Sequence, residues 1–376
     1  MHSGQPLAST DAPGYVGGRS PAPCPAKAPP AMNKIETTSR PKKRAATIVD
    51  VAQTAGVAIG TVSRHLNGLP VRASNRDQIE RAITELGFRR NATAVAMKTD
   101  TTHIVGFFVP SLSEFHAQML EQLTRQMRRK GRAVLCYFYD LQLPSIREGL
   151  EFFARHRVDA IVVDGETAMQ RDLMRLVEDG LVVVLYDNDL PGLAADRVFV
   201  SNRKSSARLV SHLIELGHRR IAAIHGELRD TAAVERLGGY EDAMAAHGLP
   251  LDPVLVRNGR WMEIDAYDRT RELLALPEPP TAIFSANYNM TLGVIARLHE
   301  TGLSIPGDIS LVSFDDVAAL RLHNPGITTV GQPIDRLAET ISTIIDERLA
   351  NPAAMGRRTL TIDCEILLRD SVRRLT

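Results

Sequence analysis

From Ile104 onward, apolar runs of strand length alternate with helical patterns, and no other feature restricts the fold of this chain so tightly. The runs are Ile104 to Val109, Ala133 to Tyr139, Ala160 to Val163, Val182 to Tyr186, Arg197 to Val200, Ile221 to His225, Val254 to Val256, Ala282 to Ser285 and Ser310 to Phe314. Such alternation implies parallel sheets covered by helices on both faces, an α/β architecture. Nine strands crowd one sheet and fit comfortably in two. Ligands of such sheets sit beyond the C-terminal strand ends. Pro110, Asp164, Asp187, Asn287 and Asp315, each just past an apolar run, are therefore the candidate site positions.

Ahead of this body the pattern is different. Thr47 can cap a helix with Asp50 in its first turn, where a carboxylate suits the helix dipole, and Ile48, Val51, Ala52 and Ala55 repeat at helical spacing. Gly56 stops it. A second helix is expected from Ile59 to Leu66, with Val62 and Leu66 facing inward and Asn67-Gly68 closing it. A third places Ile79, Ala82, Ile83 and Leu86 on one face and ends at Gly87. Three short helices, the first two joined by a tight turn, read as a helix-turn-helix unit. Residues 1–40 hold 7 Pro and 4 Gly, too little apolar surface to offset ordering, so they are expected to be disordered. Met32 opens a segment that resembles an ordinary translation start more than Met1 does.

Charge divides along the same line. The whole chain carries +1, an average that hides +7 on residues 1–90 and −6 on the remainder. A basic end joined to an acidic body is the asymmetry expected when one end meets a polyanion. Pro41-Lys42-Lys43-Arg44 is a basic run that suits either a solvated tail or phosphate contact. Cys24, Cys136 and Cys364 are far apart and form no CxxC, which fits neither a disulfide framework nor a zinc site. With no apolar run of membrane-spanning length and no export signal, a cytoplasmic protein is expected.

Enzyme signatures are absent: there is no GxxxxGK[ST], HExxH, GxSxG or GxGxxG. The carboxylate pairs Asp187 with Asp189 and Asp315 with Asp316 could act as acid and base, yet the same groups serve to hydrogen-bond a polyhydroxylated ligand. No catalytic residue, metal or cofactor is expected.

The segment from Thr47 to Gly68, through Asp50-Val51-Ala52, Ala55-Gly56-Val57, Thr61-Val62-Ser63-Arg64 and Leu66-Asn67, resembles the helix-turn-helix signature of the LacI/GalR family of bacterial repressors. The resemblance continues through Leu86-Gly87-Phe88, Asn91, Leu216-Gly217-His218, Ala286-Asn287 and Phe314-Asp315-Asp316, and spans Thr47 to about Ser371. It implies a three-helix DNA-binding domain (45–90) after a basic, Pro-rich tail (1–44). A hinge (91–102) and a periplasmic-binding-protein-like core of two doubly wound parallel-sheet subdomains (103–376) follow. The N-subdomain would take about 103–201 and 331–357, the C-subdomain about 202–330 and 358–371.

The resemblance also implies roles. Ile59 and Gly60 would face base edges in the major groove, through thymine methyls or close backbone approach since neither has a hydrogen-bonding side chain. Arg64 would contact guanine; Thr47, Thr61, Ser63, Asn67 and Asn91 complete the DNA-facing set, and Met97 stands where relatives insert a Leu into the minor groove. Ala58 replaces a customary Ser cap; Arg72 and Arg90 replace a Ser and a Pro, which leaves Ser74 as the expected cap of the third helix. In the core, Arg236, Asn287, Asp315, Asp187 and Trp261 match effector-binding positions, a set suited to polyol hydroxyls. Tyr288 in place of the usual Asp, and a shortened segment from Val109 to Phe115, leave a sugar, an aromatic ligand or an anionic one open. The expected protein is a ligand-responsive repressor that binds a pseudopalindromic operator as a homodimer and has no membrane partner. A transport solute-binding protein and a doubly wound enzyme are the competing readings.

Overall fold

The computed structural model describes residues 46–89, 101–351 and 356–375, which fall into two compact units dividing between residues 90 and 91. The expected disordered tail (1–44), with Lys42, Lys43 and Arg44, lies outside the described residues, as do Arg90, Asn91 and Met97.

The first unit is three helices: α1 (Ile48–Thr54), α2 (Ile59–Leu66) and α3 (Ala73–Leu86). Thr47 caps α1 in a capping box, its side chain accepting from the Asp50 amide while Asp50 accepts from the Thr47 amide at 2.7 Å. Helix α2 starts at Ala58 with no side-chain cap. Ser74 does not cap α3; the cap position is Arg72, two residues earlier, and the helix begins at Ala73 with Ser74 inside the first turn. Gly87 ends α3 in the left-handed region that a Cβ disfavours. Val51, Ala52, Ala55, Val62, Ile79 and Ala82 form the buried core, with Ile48, Leu66, Ile83 and Leu86 packed around it.

The second unit holds two six-stranded sheets. The first has order β11-β5-β4-β3-β1-β2 and is parallel throughout: β1 (Ile104–Val109), β2 (Ala133–Phe138), β3 (Ala160–Asp164), β4 (Val182–Tyr186), β5 (Asp196–Val200) and β11 (Thr359–Ile362). The second has order β12-β10-β9-β8-β6-β7, built from β6 (Ile221–His225), β7 (Val256–Asn258), β8 (Ala282–Ser285), β9 (Ser310–Phe314), β10 (Thr328–Gly331) and β12 (Glu365–Leu367). Its edge strand β12 alone is antiparallel. Strand interiors such as Ala160–Asp164 and Ser310–Phe314 are buried at every position, as expected for sheets covered on both faces.

Helices supply the cover. On the first half lie α4 (Glu114–Arg129), α5 (Leu143–Arg155), α6 (Gln170–Glu178) and the returning α12 (Ile334–Ala350), the last fixed where Arg348 donates to both oxygens of buried Asp196 at 2.7 and 2.8 Å. On the second lie α7 (Asn202–Glu215), α8 (Thr231–Ala246), α9 (Glu263–Leu274), α10 (Tyr288–Glu300) and the short α11 (Ala318–Leu322). The chain passes between halves three times, at Ser201, at Gln332-Pro333 and at Asp363-Cys364. Two of these passages are stitched together: the Ser201 amide donates to Ile362 at 3.0 Å, and the Cys364 amide to Ser201 Oγ at 3.2 Å.

The strand expected from Val254 begins only at Val256. Residues 253–255 form a 3₁₀ turn opened by Pro253, in which the Asp252 carboxylate accepts from the Val254 amide.

Candidate functional site

The C-terminal strand ends of both halves face a common cleft, a cavity of about 570 Å³. Strand register explains how its polar groups meet. Asp164 pairs with Tyr186 across β3 and β4, so Asp187, one residue further, lies beside the Asp164 carboxylate. Val330 pairs with Phe314, which brings Gln332, just past β10, to Asp315, where it donates at 2.7 Å. Asp187 and Asp315 both take positive φ, 59° and 74°, turning their side chains out of the strand direction.

Arg236, Asn287, Asp315, Asp187 and Trp261 all line this cavity. Arg236 is buried on α8. Its Nε donates to Asn202 at 2.8 Å and its Nη1 to the Ala286 carbonyl at 2.7 Å, and its guanidinium lies 3.8 Å from the Phe314 ring centroid. Only Nη2 faces Asp187, at 3.9 Å. Asn287 is the N-cap of α10, its side chain accepting from the Met290 amide at 2.9 Å. Trp261 donates to Asp230 at 2.7 Å and packs flat over Gly226, where any Cβ would enter the indole. Beside it, burial lifts Asp230 to about 6 against that indole hydrogen bond.

The second residues of the two carboxylate pairs are committed elsewhere. Asp189 binds Arg197 at 2.6 Å, and Asp316 binds Arg369 at 2.7 Å. The first residues, Asp187 and Asp315, stay in the cleft, and Asp187 clusters there with Asp164 and His116. Ligand atoms of these three residues lie within 4.8 Å of one another, with His116 Nε2 3.3 Å from Asp164 and Asn188 donating to Asp164 at 2.9 Å. Burial, with the neighbouring negative charge of Asp164, raises the Asp187 carboxyl to about 7, while Arg236 pulls the other way. Asp187 Oδ1 and Gln332 Oε1 are buried without a hydrogen-bond partner, and so is the hydroxyl of fully buried Tyr186.

Sequence reasoning missed His116, Tyr139, Asn188, Asp230 and Gln332, which line the same cavity. Asn188 stands one residue beyond Asp187 after the same apolar run, and that signal was available; Gln332 follows a short threonine-rich strand that gave none. His116 and Asp230 stand at or near helix starts and carry no such signature. Tyr288 does more than replace an acid: its hydroxyl accepts from the Glu114 amide at 2.8 Å, joining α10 of one half to α4 of the other.

On the first unit, Ile59, Gly60 and Arg64 are exposed on α2, Gly60 and Arg64 on the side away from buried Val62, with Thr61 and Ser63 half-buried. Ile59 is 48% exposed, much for an aliphatic residue, and a Cβ at Gly60 would meet open space. Arg64 reaches the Pro70 carbonyl through one Nη at 3.3 Å. Thr47 is engaged by Asp50 rather than projecting freely, and Asn67 ends α2 as its C-cap.

Residues 47–91 match the model of bacterial regulatory proteins of the lacI family, and residues 210–372 match a periplasmic binding protein-like domain. The chain is 31% identical over 332 residues to the HTH-type transcriptional repressor PurR of Haemophilus influenzae, covering 87% of this chain and 99% of the relative. PurR of Pasteurella multocida is 31% identical over 331 residues, with the same coverage of both chains. Among solved structures, a transcriptional regulator CelR–cellobiose complex is 27% identical with a TM-score of 0.66, covering 87% of this chain and 99% of that one. The lac repressor dimer bound to operator and the anti-inducer ONPF shares the fold at 23% identity and a TM-score of 0.77, covering 88% of this chain and 100% of that one. No helix among the described residues is long and apolar enough to cross a membrane. On the helix-turn-helix unit, the two-sheet body and this similarity along nearly its whole length, the chain belongs to the lacI family of bacterial regulatory proteins.

Proposed function

We propose that the protein is a transcriptional repressor that binds a pseudopalindromic operator as a homodimer and is switched by a small molecule held in the cleft of its core. The observation that carries this reading is the pairing, in one chain, of a helix presenting Ile59, Gly60 and Arg64 outward with a core whose cleft is built around buried Arg236. One helix of eight residues reads only a few base pairs, so two-fold symmetry supplies the rest of the site and fixes its half-site spacing. Thr61, Ser63, Asn67, Thr47 and Asn91 serve the phosphate backbone, and Met97 wedges the minor groove from a hinge at 91–102. The 1–90 segment with its +7 charge supplies the electrostatic part of binding.

In the core, Asp187, Arg236, Trp261, Asn287 and Asp315 form the effector site. A relative whose structure is a complex with cellobiose supports a sugar or related metabolite as the effector. The effector shifts DNA affinity by its differential affinity for two arrangements of the core halves, and by no more than that. Nothing in the cleft calls for a nucleophile, and the protein acts by binding.

The test is a mobility-shift titration of the full chain on DNA flanking its own gene, at rising salt. Specific binding that falls steeply with ionic strength is expected. Arg64→Ala should cost about 1–3 kcal/mol and relax discrimination at one base pair. A uniform loss across operator variants would move Arg64 from base reading to phosphate contact, and no specific DNA binding at all would overturn the function.

A further inference from the structure

We infer that the effector carries a protonated nitrogen, which seats on the Asp187 carboxylate between the aromatic walls of the cleft. The inference rests on the cleft being the effector site and narrows the chemical class of that effector.

Charge is the first argument. Seven carboxylates and three arginines line the cavity, and each arginine already faces a lining acid: Arg229 with Asp230, Arg260 with Asp265, Arg236 with Asp187. Among the described residues, Asp164, Glu166, Glu227 and Asp315 have no arginine or lysine within ion-pair distance. The enclosed space is therefore acidic, and an anionic effector would enter against that field.

Hydrogen bonding is the second. The two lining atoms left buried without a partner, Asp187 Oδ1 and Gln332 Oε1, are both acceptors. An occupant must bring donors to them. Arg236, the group best suited to clamp a ligand carboxylate or phosphate, already gives Nε to Asn202 and one Nη1 hydrogen to Ala286, and its Nη2 faces Asp187, so an anion would have to compete with that carboxylate.

A neutral polyol would also bring donors, and the third argument separates it from a cation. Asp187 is held 3.9 Å from its one arginine, next to a second carboxylate. Four lining acids, Asp164 beside Asp187 among them, have no arginine or lysine, and a hydroxyl would leave that surplus negative charge uncompensated in an enclosed cavity, whereas an ammonium offsets part of it. Phe115, Tyr139, Trp261 and Tyr288 line the same cavity, and aromatic side chains favour a cation over a neutral group. The groups that act on Asp187 are Asp164, Arg236, His116 and Asp315, and with a carboxyl lifted to about 7, cation capture at pH 6 drives a proton off it.

The experiment is a thermal-shift screen of the full chain against a metabolite panel divided into cationic, neutral and anionic members. Amines and amino sugars, their uncharged parents and phosphate esters are included, along with Mg²⁺ and Zn²⁺ alone. The strongest stabiliser, titrated calorimetrically, is expected to be a cationic member. Asp187→Asn should weaken it at least about tenfold, the worth of one charge-assisted hydrogen bond. If the variant fails to fold, titration of the unsubstituted chain at pH 6 in buffers of different ionisation enthalpy gives the same answer, with net proton release expected. A strongest ligand that is anionic, a neutral one whose affinity Asp187→Asn leaves unchanged, a metal ion alone, proton uptake, or no stabilisation by any cationic member overturns the inference. Operator binding by the unsubstituted chain, measured in the same preparation, tests the regulator reading separately.

Discussion

Asp187 holds two costs at once: a backbone at positive φ, unusual for a residue with a Cβ, and a buried carboxylate whose Oδ1 lacks a hydrogen bond. The folded state raises its pKa to about 7, against about 3.9 in an unfolded chain. Between those values the folded form holds a proton that the unfolded form has lost, so this residue's contribution to stability falls as pH rises from 4 to 7, and the full penalty applies above 7. Asp187→Asn keeps a side chain tolerant of the left-handed region and removes the ionisation. The variant is expected to melt higher than the parent at pH 8 and about equally at pH 4.5. A melting difference of the same size at both pH values would show that the carboxyl is not under this strain. Arg236 is the opposite case: held by Asn202, Ala286 and the Phe314 ring, with Nη2 turned toward Asp187, it is a part of the core as much as a wall of the cleft.

At the scale of the element, α2 is held by its neighbours more than by its own ends. Ala58 leaves the helix without a side-chain cap, and Val62 buried against α1 and α3 compensates. Ala58→Ser supplies the missing acceptor and should stabilise α2 by about 1 kcal/mol, seen as amide exchange at Thr61 and Val62 slowed about fivefold. Unchanged exchange would mean that Ala58 already fixes the helix start as well as a cap would. The inward faces of α1, α2 and α3 were legible because short helices around one small core must repeat their apolar residues at helical spacing, and every residue read as inward from Ile48 to Leu86 joins the cluster. The start of α3 was not, because the expected cap Ser74 and the actual cap position Arg72 differ by two residues and tertiary packing decides between them. In the sheets, long apolar strands were plain, whereas Thr328–Gly331 is short and threonine-rich and gave no run to read. The stretch from Thr359 to Leu368 reads as one strand but breaks at Asp363-Cys364, each half entering a different sheet. No local signal marks that break, since it is set by where the two sheets lie. The cleft shows the same division: Asp187 and Asp315 are visible as strand ends, while His116 reaches Asp164 through a contact 48 residues apart and the Tyr288 hydroxyl reaches Glu114 through one 174 residues apart.

Across the whole core, the two halves are joined over the cleft mouth by a few single hydrogen bonds. The Glu114 amide donates to Tyr288 Oη at 2.8 Å, the Asp189 amide to Thr231 Oγ1 at 3.1 Å, and the Ala232 amide to Asn188 Oδ1 at 3.0 Å. Each links a backbone group of one half to a side chain of the other, and each is lost if the halves part. Bonds of this kind contribute about 0.5–1.5 kcal/mol apiece, the right scale for an equilibrium that a metabolite must be able to move. Tyr288→Phe deletes one of the three and leaves the ring in place. It should shift the core toward the parted arrangement by up to about tenfold, weakening any effector that closes the cleft by the same factor. Amide exchange at Glu114 should quicken correspondingly, while exchange in β8 and β9, deep in the second sheet, stays as it was. A variant with unaltered exchange at Glu114 and unaltered effector affinity would place the control of closure elsewhere, in the Asp189–Thr231, Ala232–Asn188 and Ala318–Glu114 bonds or in the covalent passages at Ser201, Gln332 and Asp363.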